Sequence, residues 1–262
     1  MNAGEAGFDD VIKAAAALIL AADYVVALTG AGVSVESGVP PFRGPGGLWT
    51  RLGEPPMDGY RRFLSDPKGY WERRLKPGRR RGLDRSISEA SPNPGHYALA
   101  EMEEMGLLRA VITQNIDDLH AAAGSRSVLE IHGNAHKLRC IECGDRFPRD
   151  DLDLSELPPR CPRCGGVVKG DTVMFGEPIP RDVIRRCMEE AERCDCMLVV
   201  GTSASVFPAA GLPLTVKRRG GALVEVNPRP SELSDLCDVR VRAPSGEAMP
   251  RLVSALRRIR GS

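Results

Sequence analysis

Short apolar runs alternate along the chain with stretches of helical pattern. Four runs that pass into small or polar residues are YVVALTGAG, RAVITQN, CMLVVGTSAS and GALVEVNP, and residues 14–22 before the first look helical. Strands of this kind alternating with helices predict an α/β fold with a doubly wound, mostly parallel sheet. Such a sheet binds ligands beyond the carboxyl ends of its strands, where the polar tails of these runs lie.

Two regions interrupt the alternation. Residues 48–94 are rich in Trp, Tyr, Arg, Pro and Gly, which predicts short helices and loops inserted into the sheet. Residues 137–170 are rich in Cys, Pro and Gly and too poor in apolar side chains to build a core. We expect a discontinuous sheet domain, formed by residues 1–47, 95–136 and 171–262, and a second, smaller domain that is helical and zinc-binding.

The second region contains two Cys-x-x-Cys pairs, Cys140 with Cys143 and Cys161 with Cys164, separated by seventeen residues. This spacing is typical of a tetrahedral four-thiolate zinc site, with redox-active thiols as the alternative. Zinc binding can supply on the order of 10 kcal/mol to a segment with little other reason to fold. Four thiolates leave no open position for substrate, so we expect one structural zinc and no role for the nearby His136 as a ligand.

Composition narrows the choice of partners and compartment. The 262 residues include 36 basic and 35 acidic side chains, and the net charge of +1 gives no general attraction to nucleic acid or membrane. Residues 14–28 include Asp23 and lack a basic leader, so we expect neither a signal peptide nor a membrane span. We therefore expect a cytoplasmic protein.

The basic run at 76–85 is expected to be a solvated loop. Four further cysteines are expected to be buried free thiols: Cys187, Cys194, Cys196 and Cys237.

The first strand passes into TGAGVSVESGVPPFRG. Small residues allow backbone N–H groups to approach a phosphate, but the pattern is not a complete Gly-x-Gly-x-x-Gly. Taken alone, Gly30, Ala31 and Gly32 fit a nucleotide loop and an ordinary strand-to-helix turn equally well.

Seven motifs in order carry a family resemblance: GAGVSVESGVPPFRG, TQNIDDLH, IHG, the two Cys-x-x-Cys pairs, VMFGE, GTSASVFPAA and VEVN. Together they resemble the sirtuin family, NAD-dependent protein deacylases with a Rossmann-like domain and a small zinc-binding domain. The resemblance extends over about residues 12–257. Where the commonest family pattern has Asp, this chain has Pro41, which we expect to stiffen the loop over the cofactor.

The resemblance implies a role for each matching residue. NAD contacts are implied for Gly30, Ala31, Gly32, Ser34, Phe42, Arg43, Gln114, Asn115, Ile116, Asp117, Gly201, Thr202, Ser203 and Asn227. Among these, Asn115 and Asp117 would handle the departing nicotinamide, with Asp117 facing its carboxamide. Asp118 is expected only to favour the dipole of the following helix. Substrate contacts are implied for Val173, Phe175 and Gly176, in a strand that pairs with the substrate backbone.

His132 resembles the general base of the family. A neutral imidazole, with an unperturbed pKa of about 6.5, suits proton abstraction from a ribose hydroxyl near neutral pH. His132 ends the apolar run SVLEIH, which places it at the carboxyl end of a strand. His96 is expected to pack or cap a helix, and His120 to be structural. From the residues alone, a catalytic role for His132 and a structural one stay equally open.

The reaction implied by the resemblance has two stages. The acyl oxygen of a modified lysine would attack the ribose anomeric carbon as nicotinamide leaves, giving an alkylimidate. His132 would then deprotonate a ribose hydroxyl that attacks this intermediate. The partner is an acyl-lysine protein or peptide, and the products are lysine, nicotinamide and acyl-ADP-ribose.

Tyr70 and Arg73 match a Tyr-x-x-Arg pattern that removers of succinyl and malonyl groups in the family use to hold an acidic acyl group. A guanidinium with a phenol hydroxyl suits a carboxylate, so Arg73→Met would selectively reduce desuccinylation. The alternative is a helix in which Tyr70 and Trp71 are packed and Arg73 is solvated.

Two other functions remain open from the sequence. The same NAD cleavage could pass ADP-ribose to a protein nucleophile, which would make the chain a mono-ADP-ribosyltransferase. The cysteine region could also be a non-enzymatic zinc-ribbon module. Near-zero net charge and the lack of interleaved basic and aromatic residues around the cysteines argue against direct nucleic-acid binding.

Overall fold

The computed structural model describes residues 3–76 and 83–261. Most of the basic run at 76–85 therefore lies outside the described residues. Within these described residues, nine strands form two sheets, one of six strands and one of three.

The larger sheet is parallel throughout, with the strand order β3-β2-β1-β7-β8-β9. Its strands are β1 (Val25–Thr29), β2 (Leu108–Thr113), β3 (Val128–Glu130), β7 (Cys196–Val200), β8 (Ala222–Val226) and β9 (Val239–Val241). Each of the four quoted apolar runs contains one strand of this sheet. The edge strand β9 was not predicted, because its three residues are too few to give a pattern.

The helices of the described residues are α1 (Ala3–Ala21), α2 (Leu48–Leu52), α3 (Gly59–Ser65), α4 (Pro67–Leu75), α5 (Leu83–Glu89), α6 (Pro94–Glu104), α7 (Leu119–Ala122), α8 (Arg181–Arg193), α9 (Gly211–Arg218) and α10 (Ser245–Arg260). Five of them cover the two faces of the larger sheet, with α1, α6 and α10 on one face and α8 and α9 on the other. Successive residues of β1 alternate between two cores: Val25 and Ala27 pack with α1, α6 and α10, whereas Val26 and Leu28 pack with α8 and α9. The predicted doubly wound fold is confirmed. None of the described helices is long and apolar enough to cross a membrane.

The smaller sheet is antiparallel and consists of β4 (Lys137–Cys140), β5 (Arg146–Pro148) and β6 (Val168–Gly170). Its small core contains Leu138 and Val168 and is completed by Trp71 from α4. The indole Nε1 of Trp71 donates a hydrogen bond of 2.8 Å to the carbonyl of Val168. The inserted helix α4 and the cysteine region therefore share one core. The division of the chain into domains stays a prediction.

Candidate active site

A cavity of about 1010 Å³ opens at the carboxyl ends of the large sheet. The residue directly after each of four strands lines this cavity: Gly30 after β1, Gln114 after β2, Gly201 after β7 and Asn227 after β8. Residues 172–179, which follow β6, line another part of the wall. We call this space the strand-end cavity. Its position is the one expected for a ligand site in an open parallel sheet.

The glycines after β1 and β7 allow two loops to touch. A Cβ on Gly32 would lie 2.6 Å from the carbonyl oxygen of Gly201, and a Cβ on Gly30 would lie 2.7 Å from Cβ of Thr202. The N–H of Gly32 donates to Gly201 O at 2.7 Å, and the N–H of Gly30 donates to Val200 O at 3.1 Å. The amides of both glycines are therefore already used within the protein. Gly30 and Gly32 bring the two loops together rather than offering these amides to a phosphate.

The loop after Gly38 covers one side of the cavity with aromatic and basic side chains. Phe42 and Trp49 have ring centroids 4.8 Å apart, and the guanidinium of Arg43 lies 4.6 Å from the Trp49 ring. Arg43 also donates to Glu54 at 2.8 Å and to the hydroxyl of Ser205 at 3.3 Å. The Ser205 contact joins the loop after β7 to the covering loop. It joins positions 162 residues apart and has no sequence signal.

Gln114, Asn115 and Ile116 all line the cavity directly after β2. Gln114 Nε2 donates to the hydroxyl of Thr202 at 2.9 Å, and Asn227 Nδ2 donates to the carbonyl of the same threonine at 2.9 Å. Thr202 therefore ties the tails of β2 and β8 together. The neighbouring Ala31 and Ser203 also line the cavity.

Ser34 and Asp117 lie behind this wall and outside the cavity lining. Ser34 is fully buried and Asp117 nearly so. The Ser34 hydroxyl donates to Asp117 Oδ2 at 2.7 Å and accepts from Asn115 Nδ2 at 3.0 Å. Burial raises the pKa of Asp117, and the Ser34 hydrogen bond opposes the rise. In this structure Asp117 supports Asn115 through Ser34 and does not itself face the cavity.

Asp118 directly precedes α7, and its predicted effect on the helix dipole stays a prediction. Asp117 Oδ1, and not Asp118, accepts the backbone N–H of Leu119 at the start of α7, at 3.2 Å. Asp118 has a left-handed backbone with a φ of 65° and makes no capping hydrogen bond with its side chain. Its carboxylate instead accepts from Asn134 Nδ2 at 2.8 Å.

His132 lies two residues beyond the end of β3 and lines the cavity. Its Nδ1 is 3.1 Å from the carbonyl oxygen of Gln114. A carbonyl can only accept, so Nδ1 carries the proton and the lone pair of Nε2 stays free. Burial lowers the pKa of His132, and the hydrogen bond to Gln114 acts in the opposite direction. These features give the cavity a neutral imidazole base with a fixed tautomer.

The other histidines occupy different environments. His96 belongs to a capping box with Asn93 at the start of α6, and burial lowers its pKa to about 4. His120 is buried 2.9 Å from the hydroxyl of Thr29, and burial lowers its pKa to about 3. His136 is exposed. Among the four, only His132 lines the strand-end cavity.

The four cysteines of the smaller sheet converge as predicted. The sulfur atoms of Cys140, Cys143, Cys161 and Cys164 all lie within 4.8 Å of one another. Cys140 and Cys164 are 3.5 Å apart, and Cys143 and Cys161 are 3.7 Å apart. A tetrahedral zinc with Zn–S bonds of about 2.3 Å places its sulfurs about 3.8 Å apart, so the cluster fits one structural zinc. The remaining cysteines are buried free thiols.

Val173, Phe175 and Gly176 line the cavity, but the predicted strand is not formed. The N–H of Val173 donates to His132 O at 2.8 Å, and Phe175 O accepts from the N–H of Tyr60 at 3.0 Å. Within the described chain no strand pairs with this segment. A strand would require a partner backbone from another molecule.

Tyr70 and Arg73 do not line the strand-end cavity, and the acidic acyl site stays a prediction. Tyr70 packs against Trp71 and Phe63, with ring centroids 5.6 Å and 5.1 Å away. Arg73 lies on the protein surface and pairs with Asp66 at 3.2 Å. The helix α4 directs Trp71 into the core of the smaller sheet, and this orientation leaves Arg73 in solvent.

Comparison with known proteins identifies the family. A profile of the Sir2 family matches residues 30–208. The chain is 42% identical over 254 residues to a protein of Pyrococcus abyssi named NAD-dependent protein deacylase, covering 95% of this chain and 99% of the relative. A solved Sir2 homologue, a mutant in complex with ADP-ribose, is 41% identical with a TM-score of 0.79, covering 96% and 97% of the two chains. A Sir2–p53 peptide–NAD⁺ structure is 34% identical with a TM-score of 0.74, covering 91% and 95%.

A doubly wound sheet with a large cavity at its strand ends, joined to a four-cysteine cluster, defines a Rossmann-like α/β protein with a metal-stabilised second part. The chain belongs to the Sir2 family, because the profile match and the full-length similarity to its members agree. The resemblance inferred from the seven motifs is confirmed.

Proposed function

We propose that this protein is an NAD-dependent protein-lysine deacylase. The observation that carries the proposal is the state of His132. Its Nδ1 donates a hydrogen bond to the backbone carbonyl of Gln114, which leaves Nε2 free to accept a proton. The His132 side chain lines the strand-end cavity. The names of the similar proteins, including the NAD-dependent protein deacylase of Pyrococcus abyssi, support the same activity.

Each substrate has a place in the cavity. NAD lies along the loops after β1, β7 and β8, with its nicotinamide near Gln114, Asn115 and Ile116. The ADP-ribose in the complex of a similar Sir2 homologue supports a ligand that contains ADP-ribose. The acyl-lysine peptide lies beside Val173 and Phe175 and adds itself as a strand. The peptide in the similar Sir2–p53 peptide structure supports a protein substrate.

The residues of the chain have separate tasks in the reaction. Asn115 is held by Ser34 and stabilises the departing nicotinamide. The covering loop with Phe42 and Arg43 excludes water from the ribosyl bond. The free Nε2 of His132 then accepts the proton of a ribose hydroxyl, which attacks the acyl carbon. The four cysteines would hold zinc, which supplies structure to the second part of the protein and no chemistry in the cavity.

The acyl group removed is neutral, and acetyl is the simplest case. Tyr70 and Arg73 lie outside the cavity, and Ile116, Val173 and Val206 give its lining an apolar character. Arg73→Met is expected to change the kcat/KM for succinyl-lysine and acetyl-lysine peptides alike, by less than about twofold, as for an exposed ion pair. Steady-state rates on matched peptides check this. A selective fall in desuccinylation would restore Tyr70 and Arg73 as an acyl site.

The pH profile is expected to report the lowered pKa of His132. Burial lowers this pKa from its usual 6.5, so the imidazole remains an unprotonated base as the pH falls through 6.5. The acidic limb of the kcat/KM profile should therefore have its midpoint below 6.5. Values of kcat/KM measured from pH 5 to pH 8, with the fold monitored by circular dichroism, determine this midpoint. A midpoint above 6.5 would contradict a buried, neutral base.

Incubation with NAD and a panel of acyl-lysine peptides, followed by mass spectrometry, tests the proposed function. The expected products are the free lysine peptide, nicotinamide and acyl-ADP-ribose. A peptide or protein that instead gains the mass of ADP-ribose would make the chain a mono-ADP-ribosyltransferase. A cytoplasmic location belongs to the proposal. None of the eight cysteines, all of which are described, forms a disulfide, and this supports a reducing compartment.

A further inference from the structure

Four charged side chains are buried between the smaller sheet and the peptide-binding segment. They are Arg139 on β4, Lys169 on β6, Asp171 directly after β6 and Glu177, and none has more than 5% of its side chain exposed. We call them the buried charge cluster. Two of them, Asp171 and Glu177, flank residues 172–176, the segment assigned above to the peptide.

Glu177 joins the cluster to the backbone of this segment. Its Oε1 accepts from Arg139 Nη2 at 2.6 Å. Its Oε2 lies 3.0 Å from Lys169 Nζ and accepts the backbone N–H of Met174 at 2.8 Å. Met174 lies between Val173 and Phe175, so one carboxylate fixes the residue in the middle of the segment.

Lys169 holds the other end of the segment. Its Nζ donates to the carbonyl oxygens of Gly170 and Thr172, each at 2.8 Å, and contacts Glu177 as a third acceptor. Burial lowers the pKa of Lys169 to about 8, so the ammonium group is still protonated at neutral pH. An ammonium has three N–H donors, and here all three have acceptors.

Stability alone does not account for the cluster. Buried ion pairs contribute little net stability, because desolvation of the charges offsets their attraction, and a packed apolar group often serves as well. An apolar group could not bond the backbone at Thr172 and Met174. That bonding matters here because the segment has no strand partner within the described chain.

We propose that Lys169 and Glu177 are positioning residues that hold residues 172–176 in the conformation that receives the acyl-lysine peptide. The inference rests on the proposed function for the identity of the ligand. Ordering the segment before the peptide arrives removes part of the entropic cost of binding. The smaller sheet thereby acts on peptide affinity without touching the peptide.

Lys169→Met tests the inference, with Lys217→Met as the matched control. Lys217 pairs with Asp238, which accepts the N–H of Leu223 near the amino end of β8, the end away from the cavity, and Lys217 undergoes the same change of charge and shape. Lys169→Met is expected to raise the peptide KM about tenfold or more while the NAD KM stays within about twofold. Hydrogen exchange at the amides of residues 172–177 should also become faster in the free protein. Lys217→Met should change neither the two KM values nor the amide exchange of residues 172–177.

Glu177→Gln provides a second variant if Lys169→Met fails to bind NAD. It keeps the shape of the side chain but loses the charge that holds both cations, so the same selective rise in peptide KM is expected. Equal changes in the two KM values, or no change in amide exchange, would overturn the positioning role. A wild-type protein that exchanges slowly at 172–177 yet releases no acyl group would instead overturn the proposed function.

Discussion

His132→Ala is expected to lower the rate of acyl-ADP-ribose formation by about two to four orders of magnitude. The variant removes the only histidine that lines the strand-end cavity, and its Nε2 is the free base there. NAD affinity should change little, because the backbone carbonyl of Gln114 and the loops after β1 and β7 remain. The loss should therefore fall on kcat, and a single-turnover assay with saturating NAD and peptide measures it directly.

His136→Ala is the matched control for this experiment, because it removes an exposed imidazole near the cysteines. It should retain nearly full activity. Both variants must bind NAD, retain their metal and melt as the wild type does. Unchanged turnover in a folded, metal-loaded His132→Ala protein would exclude His132 as the base, and with it the proposed mechanism.

The local pattern of the sequence predicts the sheet well and predicts contacts between distant residues poorly. Each strand tail that the apolar runs indicated contributes to the cavity, because parallel strands end at one edge of a sheet. The partner of Asn115 is Ser34, 81 residues earlier, and its role behind the wall has no local signal. Only the family resemblance implies that Asp117 contacts the nicotinamide. In the structure Asp117 lies behind the cavity wall and supports Asn115 through Ser34.

The position of Tyr70 and Arg73 outside the cavity lining has the same origin. A Tyr-x-x-Arg pattern fixes the spacing of two side chains but not the direction in which their helix faces. That direction depends on Trp71, whose indole bonds the carbonyl of Val168, 97 residues later in the chain. The importance of Glu177 was missed for a similar reason, because its partners Arg139 and Lys169 come from two different strands.

Loss of one cysteine of the cluster is the second change expected to have a large effect. Cys161→Ser should reduce the zinc content to near zero and unfold the smaller sheet. The buried apolar core of this sheet is small, and metal binding can supply on the order of 10 kcal/mol of folding free energy to such a segment. Cys194→Ser, which alters a buried thiol outside the cluster, should retain about one zinc per chain.

Trp71 provides the spectroscopic readout for this prediction. It is fully buried against Leu138 and Val168, so its emission should shift to the red when the smaller sheet unfolds. Deacylation should fall at the same time, because Lys169 and Arg139 then no longer hold Glu177 and the peptide segment. NAD binding should persist, since the loops after β1, β7 and β8 belong to the large sheet. A zinc-free protein with unchanged Trp71 emission and peptide KM would show that the smaller sheet folds without metal.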